Sequence, residues 1–283
     1  MIVYRPMTAG DIPAGLSLCR AAGWNQISRD WELFLQLSPE GCRVAMAEDE
    51  MKVVGTATTV QYEDHFSWIG MVLVDPDRHR QGIGSQLLRE SLQVLKDVET
   101  VKLDATPAGR QVYLQLDFVD EYEISRMALK NISPATLPDS TARPIRADDL
   151  PALLAFDKKV FGANRLPVLE WLLAGGSAYA FLLENHEGIR GYCFGRPGHN
   201  FTHIGPVVSH DPEAARELVS AALRHCSGPA VVLDALLHTR EWMQWLLSIG
   251  FQEQRPLIRM YRGTNAHPGI PEKQFAILGP EFG

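Results

Sequence analysis

The sequence predicts an α/β protein, a mixed β-sheet with helices on its faces, built twice in tandem. Three observations predict it. Apolar runs of strand length alternate with amphipathic stretches of helix length in both halves. The first half aligns with the second at several places in the same order. Residues 69–88 pass from an apolar strand, through a basic turn that carries glycines, into a helix.

The elements of the first half follow in order. A strand at 2–5 leads to a helix near 9–22, which Gly23 ends. A second helix spans about 29–37, with Ser28 as its N-cap. Strands at 43–48 and 53–62 come next, then a solvated turn at Glu63-Asp64-His65. A strand at 66–74 precedes the glycine turn. The helix from 82 to about 96 puts Ile83, Leu87, Leu88, Ser91, Leu92 and Leu95 on one face. A strand at 99–105 feeds a helix at 107–116, capped by Thr106 with Pro107 at the first helical position. Two strands, 118–121 and 124–130, finish the half.

Arg5-Pro6-Met7-Thr8-Ala9-Gly10-Asp11-Ile12-Pro13-Ala14-Gly15-Leu16 is identical to residues 143–154 at seven of twelve positions. Phe66 to Gly70 matches Phe201 to Gly205. Leu103-Asp104-Ala105 matches Leu233-Asp234-Ala235, and Arg126-Met127 matches Arg259-Met260. The reading is a duplication: a domain at 1–130, a linker at 131–142, a second domain at 143–263 and a tail at 264–283. The tail's apolar patch, Phe275 to Leu278, is a candidate edge strand.

The bulk composition narrows the function classes. The chain has 283 residues, 46% hydrophobic and 22% charged, with a net charge of −7. That favours a packed core and argues against nucleic acid or an anionic membrane as the partner. The N-terminus lacks the shape of a signal peptide, and no apolar run nears the roughly 20 residues of a membrane span. A cytoplasmic protein is expected. Cys19, Cys42, Cys193 and Cys226 have no metal-ligand spacing and read as reduced thiols; no metal is expected.

Gly82 and Gly84 let the backbone approach a ligand, and unpaired N–H groups at the helix start point at negative charge. The order of elements, with this turn after the fourth strand, resembles the GCN5-related N-acetyltransferase (GNAT) family. Its signature, Gln/Arg-x-x-Gly-x-Gly/Ala, binds the pyrophosphate of acetyl-CoA. Here Gly82-Ile83-Gly84 stands in register, Arg80-Gln81 fill the free positions, and His79 replaces the first residue. Tyr113-Leu114-Gln115-Leu116-Asp117-Phe118 resembles the family's Tyr-x-x-x-Gly-Phe step, with Asp117 for Gly.

The resemblance implies acetyl-CoA as co-substrate. His79, Arg80, Gln81, Gly82, Ile83, Gly84 and Ser85 would hold its pyrophosphate. Met71, Val72, Leu73 and Val74 would face its thioester. Tyr113 would protonate the leaving thiolate, and Trp24 and Asn25 would line the acceptor pocket. The fourth strand carries no carboxylate, so Asp104 is a candidate base and Thr106 a candidate substrate contact. In the second half about five residues of the turn are missing. Glu213 and Glu217 stand near the helix start, and Leu246 replaces Tyr113. The second domain is therefore read as a degenerate GNAT-like copy. Asp157, Phe161 and Arg165 either wall the acceptor pocket or form an ordinary helix surface. The function implied is N-acetyl transfer to the primary amine of a small or amino-acid-like acceptor. A non-catalytic acyl-CoA sensor or scaffold and a protein-lysine acetyltransferase stand as alternatives.

Overall fold

The computed structural model describes residues 1–131, 137–228 and 230–283. The first half runs β1 (Ile2–Pro6), α1 (Ile12–Ala21), α2 (Ser28–Leu37), β2 (Arg43–Ala47), β3 (Lys52–Tyr62), β4 (Phe66–Val74), α3 (Ile83–Val94), β5 (Thr100–Ala105), α4 (Pro107–Leu114) and β6 (Val119–Leu129). The second runs β7 (Arg143–Pro144), α5 (Leu150–Phe161), α6 (Leu166–Gly176), β8 (Phe181–Asn185), β9 (Gly188–Arg196), β10 (Thr202–Ser209), α7 (Pro212–Leu223), β11 (Val231–Leu236), α8 (Arg240–Ser248) and β12 (Gln252–Gly263). A last strand, β13 (Gln274–Ile277), comes from the tail. The mixed α/β fold with two similar halves is present.

Local chemistry sets several of these elements. Arg5 forks onto Asp11 at 2.7 and 2.8 Å, and Arg143 repeats this on Asp149 at 2.8 Å twice. Thr106 accepts from the Gly109 N–H at 3.2 Å and caps α4. Asp117, just past α4, has φ +64, and its counterpart Gly250 has φ +100. Asp tolerates this left-handed conformation better than most residues, so the chain turns here without glycine. The face expected on α3 is buried at Ile83, Leu87, Leu88, Ser91 and Leu95.

The halves share one sheet, in the order β1-β2-β3-β4-β5-β12-β6-β11-β13-β10-β9-β8-β7. Their last strands are exchanged: β12 lies between β5 and β6, and β6 pairs with β11. The two strands expected at 118–121 and 124–130 are one. A register shift opposite Arg259 and Met260 absorbs the irregularity without ending the strand. The exchange also crosses the repeat's ion pairs. Arg259 binds Asp104 through two contacts of 2.9 Å, and Arg126 binds Asp234 at 2.7 and 2.8 Å.

The tail differs most from expectation. β13 is interior, paired with both β10 and β11, and fully buried. The reason is visible in its composition: Phe275, Ala276, Ile277 and Leu278 are all apolar, and an edge would leave them wet. Beyond β13 the chain crosses to the first half. Trp68 donates to the Pro280 carbonyl at 2.9 Å, Tyr62 to that of Phe282 at 2.7 Å, and Phe282 stacks on Phe34 at 4.6 Å. One hydrophobic core therefore spans both halves. A fully buried aromatic such as Trp31 or Phe282 contributes about 2–3 kcal/mol to it.

Three other segments sit where long-range contacts put them. Residues 132–136 of the linker lie outside the described residues. Farther along it, Thr141 donates to Glu217 on α7, and Arg224 donates to the Pro138 carbonyl. The Glu63 tip expected in solvent binds Lys158 Nζ and the Asn164 N–H, both at 2.8 Å. Asp157 and Arg165 form a buried pair at 2.8–2.9 Å, with the Arg165 guanidinium over Phe161. They are core, neither pocket wall nor helix surface.

Candidate active site

Two strands that part company create the site. β4 and β5 are parallel partners only at Ser67–Val101 and Trp68–Lys102. Beyond that point the residues from Ile69 onward have no strand on this side. Met71 adopts φ +52, sparsely used outside glycine, and makes a bulge that shifts register against β3. Thr56 pins it by donating to the Met71 carbonyl at 2.9 Å. Backbone that pairing would normally consume is thus exposed to the gap.

The gap opens toward the glycine turn. Asp75 fixes the start of the turn, accepting from the Asp77 N–H at 3.1 Å and from Lys52 at 2.6 Å. Arg80 and Gly82 then take φ +62 and +79. Left-handed residues placed this way turn successive N–H groups into one concavity, and the first N–H groups of α3 have no partner within the helix. A Cβ on Gly82 would meet nothing within 4 Å. Glycine stands there for its backbone, not for protein packing.

The side chains around the turn divide into engaged and free. His79 folds back, with Nε2 3.0 Å from the Val74 carbonyl, and Arg78 is paired with Glu50. Arg80 and Gln81 are exposed, with no hydrogen bond from their side chains among the described residues. A groove of about 490 Å³ runs from this turn past Val72, Val74, Ser85 and Leu88 to Gly109, Val112 and Tyr113 on α4.

A second cavity, of about 210 Å³, adjoins the groove. The two share Val72, Gly109 and Tyr113. Its walls come from the whole chain: Trp24 to Gln26 after α1, Ile69 to Val72 on β4, Asp104 and Thr106, and Arg126 on β6. Arg196, Phe201 and His203 come from the second half, Arg255 and Leu257 from β12, and Pro280 and Glu281 from the tail. Tyr113 stands where groove and cavity meet. Burial pushes its pKa up to about 12, so its phenol holds a proton across the neutral range.

The expected substrate-side residues are brought together, with different tasks. Trp24 and Thr106 line the cavity. Asn25 is on its wall, but its amide is spent: it donates to the Phe201 carbonyl at 3.1 Å and accepts from Asn200 and Phe201 N–H groups at 2.8 and 3.1 Å. It clasps the second half's loop. Asp104 is buried with both oxygens on Arg259, and a carboxylate held in an ion pair with a guanidinium is a weaker base than a free one.

Among the described residues His203 is the only imidazole on the cavity wall. It is buried, and its Nε2 lies 3.3 Å from Asp234, out of line for a hydrogen bond. His203 is not among the site residues expected from the sequence. The signal was the repeat, which sets His203 opposite Trp68 and Asp234 opposite Asp104. Among the described residues no cluster of three His, Cys, Asp or Glu side chains stands where it would hold a metal ion. Burial pushes the Cys19, Cys42 and Cys226 thiols up to about 12, so they are not thiolates near neutrality. No helix among the described residues is long and apolar enough to cross a membrane.

The second half repeats the geometry and fills it. β10 and β11 pair in parallel only at Thr202–Val231 and His203–Val232, the counterparts of the β4–β5 pairs. The gap beyond them holds β13. A Cβ on Gly205 would lie 2.0 Å from the Ile277 carbonyl oxygen, so glycine is needed for the strand to seat. α7 starts directly after Asp211, whose carboxylate accepts from the Ala214 N–H at 2.8 Å. Phe118 donates to the Tyr113 carbonyl and Phe251 to that of Leu246, which puts Leu246 in the place of Tyr113.

Comparison with known proteins gives concordant findings. A family model for the acetyltransferase (GNAT) family matches residues 17–118, and one for an acetyltransferase (GNAT) domain matches 153–276. The holothin acyltransferase of Pseudoalteromonas sp. (strain SANK 73390) is 28% identical over 93% of this chain and 88% of its own length. A putative acetyltransferase from Pyrococcus horikoshii superposes with a TM-score of 0.82 at 23% identity, covering 100% of this chain and 96% of that one. A tandem GNAT protein from the clavulanic acid biosynthesis pathway superposes at 0.67 and 13% identity, over 92% and 98%. These likenesses establish the fold.

Proposed function

This chain is built of two acetyltransferase (GNAT) domains in tandem, and we propose that it transfers an acetyl group from acetyl-CoA to the amine of a small acceptor held between its halves. The observation that carries this is the junction at Tyr113, where a groove beside the glycine turn meets a cavity walled by both halves. The groove fits the co-substrate: the 79–85 turn presents backbone N–H groups, and Gly82 and Gly84 leave room for phosphate oxygens. Acetyl-CoA supplies the thioester. The cavity, walled by both domains and the tail, suits a small acceptor better than a protein side chain on a large partner.

The chain's own groups then divide the work. Those backbone N–H groups between Met71 and Val74 that face the gap would polarise the carbonyl; comparable donors are worth roughly 3–4 kcal/mol. Tyr113 would hold the proton that the departing sulfur receives. An alkyl ammonium loses its proton only near pH 10, so a base is required. We assign that role to His203, because it is the imidazole that lines the cavity among the described residues and Asp104 is committed to Arg259. Asp104 and Arg259 keep β5 and β12 in place beneath the cavity.

We read 1–130 and 143–263 as the two domains, with β6 and β12 exchanged between them. The second has lost its cofactor site: β13 fills the cleft, Asp211 occupies the helix start and Leu246 replaces Tyr113. Its present task is to wall the acceptor cavity and supply His203. The test is acetyl-CoA turnover, followed as free thiol, over a panel of amines. Amine-dependent thiol release is expected, and His203→Gln should lower kcat by about 10²–10⁴. Saturable acetyl-CoA binding without thiol release from any amine would mean a sensor instead.

A further inference from the structure

The acceptor cavity contains three guanidinium groups, and they are not alike. Arg196 is bonded to both Asp30 and Glu281. Arg126 is forked onto Asp234 at 2.7 and 2.8 Å. Arg255 lines the same cavity with no ion pair and no hydrogen bond among the described residues, and its Nε is buried without a partner. It lies on β12 directly across from Arg126, just after a register shift in that strand pair. Two cations on facing strands repel, and a guanidinium partly removed from water loses hydration that nothing here replaces. Burial, and then the charge of Arg126, lowers the Arg255 pKa from its usual value. The unspent charge faces a space walled by both halves.

We propose that Arg255, with Arg126 beside it, binds a carboxylate of the acceptor, so that the substrate is a small amine carrying its own acid group. This rests on the reading of the cavity as the acceptor site. A guanidinium presents a planar fork of N–H donors that matches a carboxylate in two parallel hydrogen bonds. A cavity of about 210 Å³ takes an amino-acid-sized molecule. The charge is also polarised along the wall. Arg196 is bonded to two carboxylates, Asp30 and Glu281, so the Glu281 end offers acceptors, while Arg255 leaves its own end positive. A molecule with an amino group at one end and a carboxylate at the other complements both.

The test uses the full chain and matched probes. Glycine, β-alanine, γ-aminobutyrate and larger L-amino acids are titrated calorimetrically, each beside its carboxamide, with O-phosphoethanolamine as a phosphate-bearing amine. At least one acid should bind about tenfold or more tightly than its amide. Arg255→Met should erase that difference while leaving the amide unchanged, and Arg255→Lys should keep part of it. A variant that merely misfolds would weaken acid and amide together, so the ratio is the readout. Equal binding of acid and amide, binding of no probe, tighter binding of the phosphate amine, or an unchanged ratio in Arg255→Met would each overturn the proposal. Thiol release measured in parallel separates the two readings. Acids that bind at Arg255 but are never acetylated count against the enzyme assignment alone. Amides acetylated as well as acids count against the carboxylate assignment alone.

Discussion

The cleft between β4 and β5 and the cleft between β10 and β11 begin alike and end differently. Each pair of strands is joined by two residues and then splays. The first cleft stays open beside a left-handed glycine turn, whereas the second receives β13 and a carboxylate-capped helix. A splayed pair leaves backbone donors and acceptors that must be satisfied. One copy leaves them open to the groove, and the other gives them to its own tail. With its cleft filled, the second copy contributes Arg196, Phe201 and His203 to the wall of the cavity beside the first.

The exchanged ion pairs offer the largest break in this arrangement. Asp104→Asn strands the buried guanidinium of Arg259, and Asp234→Asn the part-buried guanidinium of Arg126. Each should cost about 3–5 kcal/mol in urea unfolding. The two losses should be similar, because the pairs are related by the repeat. A loss confined to one variant would mean that the halves do not depend on each other equally.

The Tyr113 and Leu246 positions sharpen the comparison next. Tyr113→Phe should lower kcat by about 10²-fold, or about 2.7 kcal/mol. Because its pKa is raised to about 12, the phenol is protonated at every pH up to about 11. The deficit should therefore be constant across that range and shrink only above it, as the wild-type phenol ionises. A deficit that disappears near pH 9 would remove Tyr113 as the proton donor. The smallest effect belongs to Asp211→Ala, which removes the cap of α7. About 1 kcal/mol of stability should be lost, with acetyl-CoA affinity unchanged.

Local chemistry was legible in the sequence. The turn at Gly82 to Gly84, the Thr106 cap, the left-handed Asp117 and the placement of Leu246 opposite Tyr113 each depend on a few neighbouring residues. What depended on partners far along the chain was not legible. Phe275 to Leu278 looks like any apolar strand, and only the empty β10–β11 gap makes it interior. Asn25 reads as a pocket residue until loop 199–201 arrives to occupy its amide. Asp104 reads as a free carboxylate because Arg259 is more than 150 residues away, brought in by strand exchange. Arg255 carries no local signal, since its significance is the partner it lacks.

The number of acetyl-CoA molecules bound per chain tests the account most directly. Isothermal calorimetry on the full chain should give one site, and Gly82→Glu should abolish it while circular dichroism shows the fold retained. Two sites in the wild-type chain, or one site surviving in Gly82→Glu, would contradict the assignment of a single open cleft at the glycine turn.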